Sequence, residues 1–139
     1  MFVVTIYSCG GTVSGRNYSK KREAILEKLQ STTSHPTAEW IYHELKTDYP
    51  KISLATVYRN LNQFRDEGVI FSLGQVLGKE RFDATVARHD HFVCETCAAI
   101  LDIPVTAGSD DLDPKVVSDM NISVSRHHTT YFGECSDCS

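Results

Sequence analysis

Three segments in the first half of the chain carry apolar side chains at every third or fourth position, and this spacing predicts three α-helices. The first helix begins after Ser19, the second after Thr37 and the third after Ser53, because each of these side chains can accept a hydrogen bond from the first helical turn. Gly68 ends the third helix. The apolar positions are Ala24, Ile25, Leu26 and Leu29 in the first helix, Ile41, Tyr42 and Leu45 in the second, and Leu54, Val57, Leu61 and Phe64 in the third.

The pattern then changes to two short β-prone runs, at residues 69–73 and 79–82, around Gly74 and Gly78. This change predicts a hairpin directly after the third helix. Three helices followed by a hairpin form a winged helix-turn-helix, a fold whose last helix can enter the DNA major groove. The other face of that helix carries hydrogen-bonding and cationic side chains suited to base edges and phosphates, namely Thr56, Tyr58, Arg59, Asn60 and Gln63.

The second half of the chain alternates between strands and one short helix. We expect strands at 91–94, 100–103, 122–125 and 129–132 and a helix at 113–120. The predicted fold class is α+β, with an N-terminal winged helix-turn-helix domain followed by a small α/β domain. The predicted boundaries are 1–17 for a flexible N-terminal arm, 18–82 for the first domain and 83–139 for the second.

Charge is distributed unevenly between the two predicted domains. Residues 1–79 contain 10 Lys and Arg against 7 Asp and Glu, whereas residues 80–139 contain 4 against 11. A polyanion is attracted to the first part and repelled by the second, which favours a nucleic-acid-binding first domain. The apolar runs are far shorter than the roughly 20 residues of a membrane-spanning helix. We therefore expect no membrane segment, no secretory signal and a cytoplasmic location.

Four of the five cysteines form two pairs with identical spacing, Cys94-x-x-Cys97 and Cys135-x-x-Cys138. Each pair can present two sulfur atoms from one tight turn, so the two pairs together can bind a tetrahedral zinc ion. In a reducing cytosol, thiols in this arrangement bind metal more readily than they form disulfides. A redox dithiol would need only one pair. We therefore predict a structural Zn²⁺ site, with Cys9 outside it.

A second group of candidate ligands precedes the first cysteine pair. His89 and His91 are separated by one residue, so on a strand both imidazoles point to the same face. Asp83 and Asp102 lie near the expected ends of neighbouring strands and offer carboxylate oxygens. A set of nitrogen and oxygen ligands favours Fe²⁺ or Mn²⁺ over the softer thiolate site, so the sequence predicts two different metal sites.

Five motifs follow one another between residue 18 and the C-terminus. They are His35-Pro36-Thr37-Ala38, the stretch SLATVYRNL at 53–61, Arg81-Phe82-Asp83, His89-Asp90-His91-Phe92-Val93-Cys94, and Cys135-x-x-Cys138. In this combination and order the chain resembles the ferric uptake regulator family, and most closely its peroxide-responsive repressors.

The resemblance implies a homodimer whose second domain mediates dimerisation, with zinc on the four paired cysteines. It also implies a regulatory Fe²⁺ or Mn²⁺ ion held by His35, Asp83, His89, His91 and Asp102. Because His35 belongs to the first domain and most other ligands to the second, the ion would fix the angle between the domains and so control DNA affinity. In the peroxide sensors, iron reduces hydrogen peroxide, a ligand histidine (His35 or His89) becomes its 2-oxo form, and DNA is released.

The expected partner is a double-stranded DNA operator, an A/T-rich palindrome that matches the symmetry of the dimer. Tyr58 is the candidate for base reading and Arg59 for a phosphate contact, with Thr56 as a weaker candidate. Peroxide sensors usually have an additional N-terminal helix, which residues 1–17 do not resemble. Lys20 and Arg22 are the candidates for replacing its phosphate contacts.

Three alternatives remain at this point. Iron or zinc uptake regulators of the same family are one, because Asp90 and His127 match positions of an additional metal site, with an acidic partner among Asp110, Asp111 and Asp113. The second is a non-haem metal enzyme that uses His89, His91 and a carboxylate. Five candidate ligands argue against the open coordination positions that an enzyme needs. The third is a zinc-ribbon interaction module without DNA binding.

Overall fold

The computed structural model describes residues 20–105, 112–125 and 127–139. The predictions of a flexible arm at 1–17, of a helix cap at Ser19, of Cys9 as a bystander and of acidic ligands at Asp110 and Asp111 lie outside these residues. We call residues 20–83 the N-terminal lobe and the described part of 89–139 the C-terminal lobe.

The N-terminal lobe begins with three helices, α1 (Lys20–Gln30), α2 (Ala38–Leu45) and α3 (Leu54–Asp66). The predicted caps of α2 and α3 are confirmed, because the Thr37 hydroxyl accepts a hydrogen bond from the amide of Trp40 and the Ser53 hydroxyl accepts one from the amide of Thr56. Gly68 follows α3 with a φ of +73°, the left-handed conformation that ends helices.

The apolar faces of these helices pack against one another and against the strand that follows. The core comprises Ala24, Ile25, Leu29, Ala38, Ile41, Leu45, Ile52, Val57, Leu61, Phe64, Ile70 and Phe82. Eight of the eleven predicted apolar positions belong to it, and the other three, Leu26, Tyr42 and Leu54, pack at its margin only partly buried.

A two-stranded antiparallel hairpin, the wing, consists of β1 (Phe71–Val76) and β2 (Lys79–Asp83). Leu77 and Gly78 both have positive φ, 47° and 77°, as in the tight turns that join two twisted strands. The sequence pattern ended the first strand at residue 73, but β1 continues because a bulge between Ser72 and Gly74 accommodates the left-handed Gly74.

The C-terminal lobe contains a three-stranded sheet in the order β4-β3-β5. Its strands are β3 (His89–Cys94), β4 (Ile100–Pro104) and β5 (Thr130–Gly133), and α4 (Pro114–Met120) lies between β4 and β5 in the chain. β3 is antiparallel to β4 and parallel to β5. The strand predicted at 122–125 is absent, since this segment finds no partner strand among the described residues and leaves Ile122 and Val124 exposed.

These elements confirm the predicted fold class, a winged helix-turn-helix followed by a smaller mixed α/β unit. The exact boundary between residues 82 and 83 stays a prediction, and β2 crosses it by one residue. Among the described residues, no helix is long and apolar enough to cross a bilayer.

Candidate metal centres and nucleic-acid interface

One cluster of five candidate ligands lies where the two lobes meet. His35 comes from the loop between α1 and α2, Asp83 ends β2, His89 and His91 lie on β3, and Asp102 lies on β4. Each offers one nitrogen or oxygen atom, and these five atoms lie within 4.8 Å of one another. Residues that are far apart in sequence therefore converge on one point.

Short distances connect nitrogen and oxygen atoms across this cluster. His35 Nε2 lies 2.8 Å from Asp102 Oδ1, and His89 Nε2 lies 2.9 Å from Asp83 Oδ2. His91 Nε2 is 3.3 Å from Asp83 Oδ2 and 2.9 Å from His89 Nε2. The β3–β4 register places His91 directly opposite Asp102, which brings the strand ligands together.

Burial makes a bound cation the natural partner of these atoms. His35, Asp83 and His91 are at most 5% exposed, and the Nδ1 atoms of His35 and His91 make no hydrogen bond within the described residues, while His35 Nε2 lies close to the Asp102 carboxylate without hydrogen-bond geometry. Buried polar atoms without partners are costly, so such a group needs an ion or another partner. Ligand atoms about 2.1 Å from one ion stand about 3 Å apart when they are neighbours, which agrees with the observed separations.

The protonation of the histidines is set by their surroundings. Burial lowers the pKa of His89, but its hydrogen bond to the Ala87 carbonyl and the Asp83 and Asp102 carboxylates outweigh burial and raise that pKa above its usual value. Burial is also the largest influence on His91 and lowers its pKa; the hydrogen bond to Asp83 opposes this effect, and the neighbouring imidazoles of His89 and His35 add to it. The 2.7 Å bond from His89 Nδ1 to the Ala87 carbonyl leaves Nε2 directed at the cluster.

A cavity of about 780 Å³ reaches this cluster from one side. Its lining includes Asp83, His89 and His91, together with residues of β1 and of the segment before β5. A small molecule can therefore approach the ligands without displacing the core of either lobe.

The four paired cysteines form a separate cluster at the end of the C-terminal sheet. The parallel pairing of β3 with β5 sets Cys94 beside Gly133 and so brings the two cysteine turns together. Cys97 Sγ and Cys135 Sγ are 3.7 Å apart, close to the roughly 3.8 Å expected between thiolates about 2.3 Å from one zinc ion. All four are free thiols, so no disulfide competes with metal binding.

The thiols of this cluster differ in acidity. Backbone amides of Cys97 and Cys135 donate to the Cys94 sulfur and lower the pKa of Cys94 to about 6. The neighbouring sulfurs of Cys135 and Cys97 raise the pKa of Cys138 to about 12. One thiolate is thus favoured at neutral pH by the backbone, whereas further thiolates so close together need a cation.

The predicted DNA-reading residues have different environments on α3. Arg59 is exposed, whereas Tyr58 is half-buried and its hydroxyl donates a 2.9 Å hydrogen bond to Glu39 on α2. Thr56 lies 2.8 Å from the Ser53 hydroxyl, at the start of the helix. Asn60 was expected on the outer face, but it is buried and its side chain donates to the carbonyl of Thr56.

The two cationic candidates on α1 also differ. Lys20 is exposed. The Arg22 guanidinium donates to Gln63 and Glu67 at 2.8 and 2.6 Å and lies over the Phe64 ring, so it connects α1 to α3. Sequence reasoning missed this internal role of Arg22 and the contact between Tyr58 and Glu39, because both depend on how the helices pack.

Asp90 and His127 make contacts of their own rather than joining either cluster. Asp90 is buried and accepts a hydrogen bond from the amide of Thr129, and His127 Nε2 lies 2.7 Å from the Arg88 guanidinium. Within the described ranges, the convergent groups of metal-ligand residues are the five-residue cluster and the four cysteines.

Comparisons with known proteins agree with this architecture. The profile of the Ferric uptake regulator family matches residues 13–132. The chain is 36% identical to the peroxide operon regulator of Bacillus subtilis, over 91% of this chain and 86% of that protein, and 34% identical to the peroxide-responsive repressor PerR of Staphylococcus saprophyticus, over 90% and 84%. The crystal structure of the Campylobacter jejuni peroxide stress regulator superposes with a TM-score of 0.69 at 28% identity, over 85% of this chain and 88% of that one.

These matches exclude the enzyme and the zinc-ribbon module as descriptions of the chain. The family profile covers the winged helix and most of the C-terminal lobe, so the two lobes belong to one regulator. The chain belongs to the Ferric uptake regulator family, whose members are metal-dependent repressors that bind operator DNA as dimers.

Proposed function

We propose that this protein is a repressor that senses hydrogen peroxide through oxidation of a histidine ligand. The observation that carries the proposal is the cluster of three imidazoles and two aspartates drawn from both lobes, with its members largely buried. The peroxide regulators among its relatives support the same conclusion.

The residues divide into two metal sites in this proposal. His35, Asp83, His89, His91 and Asp102 hold Fe²⁺ or Mn²⁺, since mixed nitrogen and oxygen ligands suit these ions. A structural Zn²⁺ ion is held by Cys94, Cys97, Cys135 and Cys138. Bound Fe²⁺ would supply the one-electron chemistry that activates hydrogen peroxide next to the histidines, without being consumed.

Oxidation changes a ligand and so changes the relation between the lobes. The ring carbon between the two nitrogens of His35 or His89 exchanges its C–H for a C=O, and one peroxide molecule becomes water, so the ring gains one oxygen atom. The two-electron oxidation of the ring balances the reduction of the peroxide. A 2-oxo ring is a poor ligand, so the lobes lose their shared attachment and DNA is released.

DNA binding uses the exposed side of α3 in each half of a homodimer. Tyr58 reads base edges with Thr56 as a weaker contributor, while Arg59 and Lys20 contact phosphates. Arg22 stays a candidate phosphate contact, although its bonds to Gln63 and Glu67 engage it within the lobe. The operator is an A/T-rich palindrome that matches the dimer, and the protein acts in the cytoplasm, where such DNA lies.

Mass spectrometry after peroxide treatment of the Fe²⁺-loaded protein tests this function, with the Mn²⁺-loaded protein as the control. We expect a gain of one oxygen on a peptide containing His35 or His89 in the iron form and not in the manganese form. Operator binding should be lost in parallel. Unchanged histidines together with intact DNA binding would instead identify an iron-uptake regulator.

A further inference from the structure

His35 has a backbone conformation that is uncommon for a residue with a large side chain. Its φ is +52°, in the left-handed region that such residues occupy only where their surroundings hold them. Its ring is buried, Nδ1 makes no hydrogen bond with the described residues, and Nε2 faces the carboxylates of Asp83 and Asp102. A further restraint on this loop acts through its backbone.

Two neighbouring residues of β2 provide that restraint. The guanidinium of Arg81 donates to the carbonyl of His35 through Nε and to that of Ser34 through Nη2, the latter at 3.1 Å. The amide of Phe82 donates to the carbonyl of Pro36, also at 3.1 Å. Three successive carbonyls around His35 are thus held by one short piece of strand.

The same strand belongs to two functional parts of the molecule. Two residues after Arg81, Asp83 contributes its carboxylate to the five-residue cluster. On its other edge β2 pairs with β1, where Arg81 lies opposite Gly74. The loop that carries His35 is therefore attached to the wing through the Arg81 side chain and the Phe82 amide.

We propose that Arg81 is a positioning residue that fixes the His35 imidazole for metal binding and connects its position to the wing. The proposal rests on the metal site of the proposed function and adds the group that prepares it. A planar guanidinium bonds two adjacent carbonyls at once, which an ammonium group on a flexible stem does not reproduce. Metal affinity should depend on this geometry, since groups that orient ligands typically contribute about 10- to 100-fold.

The test uses the full zinc-containing chain with Arg81→Ala and Arg81→Lys. Arg65→Ala is the matched control, because Arg65 is an exposed arginine whose contacts are the surface carboxylates of Asp66 and Glu80. Mn²⁺ affinity is measured by calorimetry, and the number of imidazoles on the bound Mn²⁺ is measured from nitrogen couplings in pulsed electron paramagnetic resonance. Zinc content and circular dichroism report folding.

We expect Arg81→Ala to lose at least about tenfold in Mn²⁺ affinity and one of its three imidazole couplings, with zinc retained. Arg81→Lys should fall between this variant and the wild type, and millimolar ethylguanidinium should partly restore Arg81→Ala. Arg65→Ala should match the wild type. If Arg81→Ala fails to fold, the affinity and couplings of Arg81→Lys decide.

Three couplings and an affinity within about twofold of the wild type in either folded Arg81 variant would overturn the role of Arg81 and leave the metal site intact. A wild-type protein whose bound Mn²⁺ shows no imidazole coupling would overturn the site itself, and this inference with it. The two failures are therefore distinguishable.

Discussion

The two ligand clusters differ in where their residues come from. The four cysteines belong to two turns of the C-terminal lobe, joined by the pairing of β3 with β5. The five-residue cluster combines a loop between two helices, the last residue of the wing and two strands of the other lobe. A metal in the first site stabilises one lobe, whereas a metal in the second fixes two lobes relative to each other. Only in the second arrangement does the loss of one ligand change how the two lobes are held relative to each other.

The largest effect is expected from breaking the cysteine cluster. Cys97→Ser should release zinc and unfold the C-terminal lobe or dissociate the dimer, because structural zinc contributes on the order of 10 kcal/mol to folding. Zinc content, circular dichroism and light scattering report the outcome. Cys9→Ser, which changes a cysteine outside both pairs, is the control. A zinc-free Cys97→Ser dimer that remains folded would contradict the structural role.

Breaking the five-residue cluster should leave the fold intact. His89→Ala removes one ligand, so zinc should stay bound while the Mn²⁺-dependent increase in operator affinity falls by at least about 100-fold. Fluorescence anisotropy with labelled operator, with and without Mn²⁺, measures this change. His43→Ala, at an exposed histidine on α2, should behave like the wild type. Normal Mn²⁺-dependent operator affinity in His89→Ala would show that DNA binding does not depend on the five-residue cluster.

Protons should compete with Mn²⁺ for the histidines of the five-residue cluster. A histidine must be deprotonated to bind a metal. Burial lowers the pKa of His89, but the Ala87 carbonyl and the two carboxylates outweigh burial and raise this pKa above its usual 6.5. Mn²⁺ affinity should therefore fall as the pH drops through this raised pKa, by up to about tenfold per pH unit for each displaced proton. The stability of the chelator-treated protein should depend on pH in the opposite direction. The raised pKa of His89 stabilises the fold below pH 6.5, and this contribution to the free energy of unfolding is lost as the pH rises through the raised pKa.

Calorimetry in two buffers with different ionisation enthalpies measures the released protons near neutral pH. Equal Mn²⁺ affinity at mildly acidic and mildly alkaline pH, without proton release, would contradict the assignment of His89 as a ligand.

The smallest effect concerns the contact between α2 and α3. A backbone amide hydrogen bond lowers the pKa of Glu39 most, against burial, and the Tyr58 hydroxyl lowers it further, so this carboxylate stabilises the fold above its usual pKa of 4.5 and less as the pH falls. Glu39→Gln should cost about 0.5 to 1 kcal/mol near neutral pH, since the site is partly exposed.

Urea denaturation near neutral pH measures that free energy of unfolding. Glu44→Gln on the same helix is the control, because Glu44 is exposed and its partner Lys28 lies 3.5 Å away. If both variants lost equal stability, the Glu39–Tyr58 hydrogen bond would have no special role.

Local sequence signals predicted most of the fold. Thr37 and Ser53 cap the helices through contacts three residues away, so their roles follow from the sequence alone. The features that the sequence did not predict depend on tertiary contacts. Residues 122–125 are β-prone yet unpaired, and Asn60 turns inward to the Thr56 carbonyl, because each outcome depends on neighbours that the local pattern does not specify.

The candidate sites follow the same division. Spacing alone indicated the cysteine cluster and the pair His89 and His91. His35 entered through family resemblance, since nothing in its local sequence places it near β3. The contacts of Arg81 with the His35 loop depend on the approach of β2 to that loop and became visible only in the structure.

The central claim is that one cation bound jointly by both lobes sets the shape that fits DNA. A crystal structure of the Mn²⁺-loaded protein on its operator, with the manganese located by anomalous scattering, tests it most directly. We predict one manganese per chain in contact with His35 of the N-terminal lobe and with His89 and His91 of the other. Manganese elsewhere, or His35 remote from β3 while the operator stays bound, would contradict the claim.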